Sequence, residues 1–423
     1  MVWIRTGVTS LVLVGLLAGC GGRPKDVLLP VAVTAPIPGS STVDMMVATT
    51  RQRSNVPGEI FTGERGRAID FANMVVSIPP DNVRKKGDVQ WPKKLPGDPT
   101  KDFVTLKAQD MNLKQARAWF NSRIKATPKR QALVFIHGFN NRFEDAVYRF
   151  AQIVHDSGSD VVPILFTWPS RGSVLAYGYD RESNNYSRDA LELLLKALAD
   201  DPNVDEVSIL AHSMGNWVTL EALRQMAIRD KRVAPKIRNV MLAAPDVDVD
   251  VFRRQMADIG PNGPQVTLFV SQDDRALKVS RRVWGNIERL GQINVAQEPF
   301  ATEMQQDKIT VIDLTKLRTD DRLNHAKFAA SPEVVQLIGA RLAEGQTMTD
   351  SKSAFGDRLV AVTTGAAASV GTAAGLIVTA PVAIIDPETR ETYNSQIKAF
   401  GNTLSDNADS AGALLKPASG VAY

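Results

Sequence analysis

Continuous apolar runs alternate with helical periods through the middle of the chain. The stretches "QALVFIHGF" (131–139), "VVPILFTWP" (161–169), "VSILAHS" (207–213), "IRNVMLAAP" (237–245), "QVTLFVS" (265–271) and "KITVIDL" (308–314) carry almost no polar alternation. Each therefore reads as a strand buried on both faces. Helical spacing follows near 143–156, over 187–199 and over 216–229, with further helical segments between the later strands. Apolar strands separated by helices predict an α/β chain, with a mostly parallel central sheet covered by helices on both faces.

The flanks have other patterns. Residues 43–107 hold short β-like runs at 43–48, 72–78 and 103–106, separated by turn-rich stretches such as "WPKKLPGDP". The segment 113–125 places Leu113, Ala116, Phe120 and Ile124 near one helical face. Residues 24–42 are proline-rich and aperiodic, which reads as a tether. From 359 to 385 no charge interrupts an Ala/Gly/Thr/Val run that contains the Gly371-x-x-x-Gly375 spacing. The run is long enough to span a bilayer but only marginally apolar, and Pro381 breaks its helical potential. A membrane-contacting or self-associating helix and a packed Ala/Gly segment both fit, with a slight lean to the former.

Composition adds bounds. The 423 residues are 44% hydrophobic, enough for one large core, and the net charge of +4 includes no basic run interleaved with aromatics. Nucleic acid is not an expected partner. The single cysteine, Cys20, ends a segment with Arg5, an apolar stretch and small residues, the layout of a secretory signal. Leu17-Ala18-Gly19-Cys20 resembles the bacterial lipobox, which implies cleavage before Cys20 and lipid on its sulfur. Gly21 carries no inner-membrane retention signal, so the expected location is the cell envelope, lipid-anchored at a periplasm-facing outer membrane. The expected organisation is a signal peptide (1–19), a tether after lipidated Cys20 (20–42), one domain (43–345) and an Ala/Gly-rich tail (346–423). Within the domain, 43–107 is the β-rich part and 130–345 the core.

The chemistry gathers where strands end. Ser213 lies between a strand and a helix, with Ala211 and Gly215 two residues to either side. Small residues are needed there because strand and helix backbones crowd at a sharp turn that projects the serine oxygen. A serine needs a base, and the chain has four histidines. His212 is expected to point away from Ser213, His155 lies in a surface helix, and His137 ends the first core strand. His325, after the last strand, is the base by position and elimination. Asp274 is the expected partner of its imidazole, with Asp246 the runner-up and Asp273 a tolerant neighbour. The expected oxyanion donors are the backbone N–H groups of Phe139 and Met214.

The order Ser213, Asp274, His325 and the stretches "FIHGFNNRFEDAVYRFAQIV", "FTWPSRG", "YDRESNNYSRDAL", "LAHSMGNWVTLEALRQ" and "SQDDRAL" resemble the α/β-hydrolase superfamily. More narrowly, the chain is similar to a bacterial family of esterase/lipase-like hydrolases of unknown function, over about 43–343. That resemblance implies an α/β-hydrolase fold, the same triad, and N-terminal strands added to the same sheet. The expected activity is cleavage of an ester or acyl bond through an acyl-serine, with acyl transfer or an inactive envelope scaffold as alternatives. The substrate is expected to be a small or lipid-like acyl compound, with no cofactor and no metal. Phe139, Trp168, Tyr177 and Tyr179 are candidates to line an acyl pocket. Arg142, Arg171 and Arg181 lie near them, with Glu144 and Glu182 as possible partners for two of the three.

Overall fold

The computed structural model describes residues 25–33, 35–306, 309–344 and 377–378. The expected signal peptide, Cys20 and the tail other than 377–378 lie outside the described residues.

The six apolar runs form strands β4 (Gln131–Ile136), β5 (Val162–Thr167), β6 (Glu206–His212), β7 (Ile237–Ala243), β8 (Gln265–Val270) and β9 (Thr310–Asp313). All six are parallel to their neighbours, in the order β9-β8-β7-β6-β4-β5. Alternate residues of one strand feed opposite cores. Val134 and Ile136 join the cluster on one face, Leu133 and Phe135 the cluster on the other. That two-sided burial is why these strands carry no polar alternation.

The N-terminal part extends the same sheet. Strands β1 (Ser41–Arg53), β2 (Phe61–Ile78) and β3 (Val104–Met111) are antiparallel to one another, and β1 runs parallel to β5. They are longer than their apolar cores because β1 and β2 continue through the polar stretch 50–70. A two-residue strand, Ile377–Val378, pairs antiparallel with β9. The chain thus has an α/β-hydrolase fold with extra N-terminal strands.

Helices α1 (Leu113–Ala126), α2 (Phe143–Ser157), α3 (Tyr177–Tyr186), α4 (Arg188–Asp200), α5 (Gly215–Asp230), α6 (Val249–Ile259), α7 (Arg275–Val283), α8 (Phe300–Gln306), α9 (Lys327–Ala330) and α10 (Pro332–Glu344) complete the chain. α1 starts on a reciprocal cap between Asn112 and Gln115 and buries Ala116, Phe120 and Ile124. Leu113 does not share that face; it is 52% exposed, at the first helical position. α3 has no apolar period and was not expected. Its inner face is polar, with Asp180, Ser183 and Asn184 buried.

Residues 25–33 also depart from the tether reading. Val27 and Leu28 are buried in the core cluster, and Tyr148 donates its hydroxyl to the carbonyl of Val27 at 2.8 Å. Burying two such side chains contributes roughly 1.5–3 kcal/mol each, enough to dock this segment on the domain. No helix among the described residues is long and apolar enough to cross a membrane.

Candidate active site

The parallel strands deliver their following loops to one edge of the sheet, and backbone strain concentrates there. Asn140 after β4, Ser213 after β6, Ala244 after β7 and Asn324 in the loop after β9 all have positive φ, four of the eight such non-glycine residues among those described. Strain of this kind costs on the order of 1–3 kcal/mol per residue and persists where the surroundings over-determine it.

Ser213 has φ +53° and is only 4% exposed. Its N–H donates to Ala243 O at 2.9 Å, and its carbonyl accepts from Asn216 N and Asp246 N at 3.1 and 3.2 Å. Close approach explains the flanking glycines. A Cβ on Gly215 would sit 2.8 Å from Ile136 O and nearer still to His137 O, and one on Gly138 would sit 2.8 Å from Ser213 Cβ. The methyl of Ala211 is accommodated in the core. α5 begins immediately after Met214, so the positive end of its dipole faces the serine. The N–H groups of Met214 and Phe139 donate to no acceptor among the described residues. Two free donors beside a strained serine are what a developing oxyanion requires.

His325 and Asp274 meet after β9 and β8. Asp274 is fully buried and caps α7 through Leu277 N at 2.9 Å. Its other oxygen lies 2.7 Å from His325 Nδ1. Burial pulls the His325 imidazole down, but the charge of Asp274 and its hydrogen bond, with Asp246 and Asp321 behind them, leave it raised above 6.5. The hydrogen bond makes Nδ1 the protonated nitrogen of the neutral ring and leaves Nε2 with a free lone pair. The Ser213 hydroxyl makes no hydrogen bond to His325; such contacts commonly tighten when substrate binds. Asp246 faces elsewhere, accepting from Ser280 Oγ at 2.6 Å and Tyr177 OH at 3.1 Å.

The other histidines have defined structural partners. His137 accepts at Nε2 from Trp168 N–H at 3.2 Å, so its proton sits on Nδ1, 2.8 Å from Gly138 O. Burial, then the nearby Arg51 guanidinium, pushes its pKa down to about 3. His155 bonds Ser41 and Asp81. His212 leaves β6 on the face of Leu210 and packs against Phe328, as strand alternation expects, and on that face it meets the loop that carries His325. Its Nε2–H donates to His325 O at 3.1 Å, and the two rings lie 4.7 Å apart. The loop after β9 folds back over the end of β6, so the outward side of that strand becomes the floor under His325.

Three further expectations change. Asp273 is no idle neighbour: it accepts from Asn324 Nδ2 at 2.9 Å and from the buried Lys327 Nζ at 2.7 Å, on either side of His325. Trp168 is fully buried, stacked on His137 with its indole N–H donating to His137 O, so it lines no pocket. Arg142 does pair with Glu144 at 3.1 Å, but Arg171 pairs with Glu64 at 2.8 Å, and Arg181 stacks on Trp217 with its guanidinium 3.5 Å from the ring centre.

Sequence reading missed Arg51. It is fully buried on β1 and donates to Thr62 O, Ser170 O, Asn141 O and Thr167 Oγ1 at 2.8–3.1 Å, pinning the loops after β4 and β5. Burial lowers its pKa to about 10, against the opposing charges of Glu144, Asp180 and Asp145. The β-like run expected at 43–48 stops short of Arg51, which β1 reaches only because it continues to Arg53. No group of three or more His, Cys, Asp or Glu side chains among the described residues is placed to hold a metal.

Comparison with known proteins follows the same line. The family model described as alpha/beta hydrolase of unknown function (DUF900) matches residues 112–341. An uncharacterized protein of Nostoc sp. is 22% identical over 38% of this chain, which spans 56% of that relative's length. An esterase of Pyrobaculum calidifontis superposes with a TM-score of 0.34 at 11% identity, covering 73% of this chain and 87% of the esterase, too loosely to carry an argument. The family match covers more than half of the chain, including the segments that bear Ser213, Asp274 and His325, and the chain belongs to this family of alpha/beta hydrolases.

Proposed function

We propose that this hydrolase cleaves an ester or related acyl bond through an acyl-enzyme on Ser213. His325 Nε2 takes the Ser213 proton, Asp274 holds the imidazole and balances its charge, and the N–H groups of Phe139 and Met214 receive the oxyanion. As the intermediate collapses, the ester C–O bond breaks and the imidazolium gives its proton to the departing alcohol; water, deprotonated by the same imidazole, then releases the acyl group as the acid and returns Ser213. The observation that carries this reading is the 2.7 Å Asp274–His325 hydrogen bond beside a serine held at φ +53° with two unengaged N–H groups. Turnover of short 4-nitrophenyl esters by the wild type, and its loss in Ser213→Ala with the melting temperature retained, is the expected result. Turnover that survives in Ser213→Ala places the nucleophile elsewhere.

The envelope location belongs to the same proposal and rests on Leu17-Ala18-Gly19-Cys20. Residues 25–33 dock on the domain, so a lipid on Cys20 would hold the domain close to the bilayer surface. Labelling with a palmitate analogue should mark the wild type and spare Cys20→Ala; label retained by the variant refutes lipidation.

A further inference from the structure

One side of the Ser213 turn carries more donors than acceptors. Arg181, on α3, makes no hydrogen bond or ion pair among the described residues, although its guanidinium is half-buried against the Trp217 indole at 3.5 Å. Trp217 Nε1–H is itself buried without an acceptor, as is Nε–H of Arg289. Arg289 is 6% exposed, sits 5.7 Å over the Trp284 ring and reaches Asp246 only at 3.6 Å. Asp246 is the carboxylate of this group, and Ser280 and Tyr177 already hydrogen-bond to it. Two guanidinium charges therefore share Asp246, with Glu182 on α3 a weaker counter-charge to Arg181. Donors held out of water without a hydrogen-bond acceptor, as at Trp217 Nε1 and Arg289 Nε, are costly, and with the Arg181 guanidinium beside them at the solvent border this wall fits an acceptor supplied from outside.

Three contacts place this wall beside the reaction centre. Trp217 lies in the first turn of α5, its N–H bonded to Met214 O at 3.1 Å. Asp246 N donates to Ser213 O. Tyr177 packs edge-on against Phe139 at 5.0 Å and takes the indole N–H of Trp284 on its hydroxyl at 2.7 Å. The two candidate oxyanion donors and the arginine wall thus share neighbours. Trp284 is 42% exposed, so the group borders solvent.

We propose that Arg181, with Arg289 beside it, forms a subsite for an anionic group, carboxylate or phosphate, on the ester that Ser213 cleaves. This rests on the serine-hydrolase reading and names the class of its substrate: an ester that carries an anionic group near the scissile bond. A planar guanidinium backed by an indole presents its donor edge in a fixed orientation, which suits a two-oxygen acceptor.

The test uses matched pairs that differ in one charge. Mono-4-nitrophenyl adipate against its methyl ester puts a carboxylate on the acyl side. 4-Acetoxyphenylacetate against its methyl ester puts one on the alcohol side, and lysophosphatidylglycerol against a monoacylglycerol of equal chain length supplies a phosphate. In at least one pair the wild type should favour the anionic member in kcat/KM by about tenfold or more, the size of a charge-assisted hydrogen bond. Arg181→Gln should bring that ratio to near one, while Arg171→Gln, a control on the neighbouring loop, should leave it unchanged. Ratios near one in all three wild-type pairs, or a preference that survives Arg181→Gln, overturn the subsite and leave the serine mechanism standing. If no ester is turned over, the serine reading fails instead, and tryptophan fluorescence titrated with adipate and with inorganic phosphate still decides the subsite. A saturable change abolished by Arg181→Gln supports it, and no saturable change with either anion removes it.

Discussion

The loop after β4 and the loop after β9 both border Ser213, and they are held in different ways. Around Gly138 the β4 loop is fixed by neutral acceptors and one buried cation, with carboxylates only further along it, where Asp180 accepts from Asn140 N at 3.4 Å and Asp145 from Arg142 N at 2.8 Å. Arg51 donates to the carbonyls of Asn141 and Ser170 at 2.9 Å, and His137, held neutral, ties Gly138 to Trp168. The β9 loop is fixed by carboxylates: Asp321 accepts from the N–H groups of His325 and Ala326, Asp273 from Asn324 and Lys327, and Asp274 from His325 itself. The division follows the chemistry we propose. Backbone dipoles meant to receive a transient charge work best when nothing near them reorganises or titrates. A base that must become a cation needs anions already in place.

The sharpest way to break this contrast is to neutralise one carboxylate at a time. Asp274→Asn should lower kcat by about 10³- to 10⁴-fold, because the imidazole would settle in the wrong tautomer. Above the raised His325 value its stability should change little, since asparagine caps α7 as well as aspartate does, whereas below 6.5 the contribution of the charged pair is lost. Asp246→Asn should cost far less activity; the opposite ranking in steady-state kinetics would move the acid to the loop after β7.

On the β4 side the loss should appear as stability. Arg51→Met strands buried carbonyls of three different segments and should cost at least about 3 kcal/mol in urea unfolding. An unfolding curve shifted by less than 1 kcal/mol would mean that Arg51 does not hold these loops. Asp273→Asn is expected to fall between the two. A fall of about tenfold in kcat and a loss of about 1–3 kcal/mol follow from an unpaired, buried Lys327 beside His325; unchanged values for both would mean that Lys327 does not buttress the loop.

The two histidines give the smallest and most specific signature. His325 is raised above 6.5 and must be neutral to act as a base, so kcat/KM should climb with pH through an inflection above 6.5. Its pairing with Asp274 contributes stability that is fully present below 6.5 and lost as pH rises through the raised value. His137, depressed to about 3, does the reverse: stability falls as pH drops below 6.5 toward 3. Proton NMR of the imidazole resonances would show both displacements. Two histidines titrating together near 6.5 would remove the contrast.

How much of this was legible in the sequence follows from the same division. The apolar strands and the small residues Ala211 and Gly215 around Ser213 left strong local signals, because two-sided burial and backbone crowding restrict residue types directly. Asp274 and His325 were legible because each follows a strand that the pattern had already located. The polar supports were not. α3 buries Asp180, Ser183 and Asn184 with no apolar period, and Arg51 sits in a strand where charge argues against burial. Asp273 looked like a solvated turn because its partners, Asn324 and Lys327, lie fifty residues away in sequence. The contact of His212 with His325 was not legible because strand alternation says which side a residue leaves from, but not which later loop returns over it.

The most direct test of the serine mechanism is to locate a fluorophosphonate adduct by peptide mass spectrometry in the wild type and in His325→Gln. One modified residue, Ser213, is expected in the wild type, with labelling slowed at least about a hundredfold in His325→Gln, since the base that activates the hydroxyl is gone. An adduct on another residue, or a Ser213 adduct that forms equally fast without His325, would contradict the mechanism.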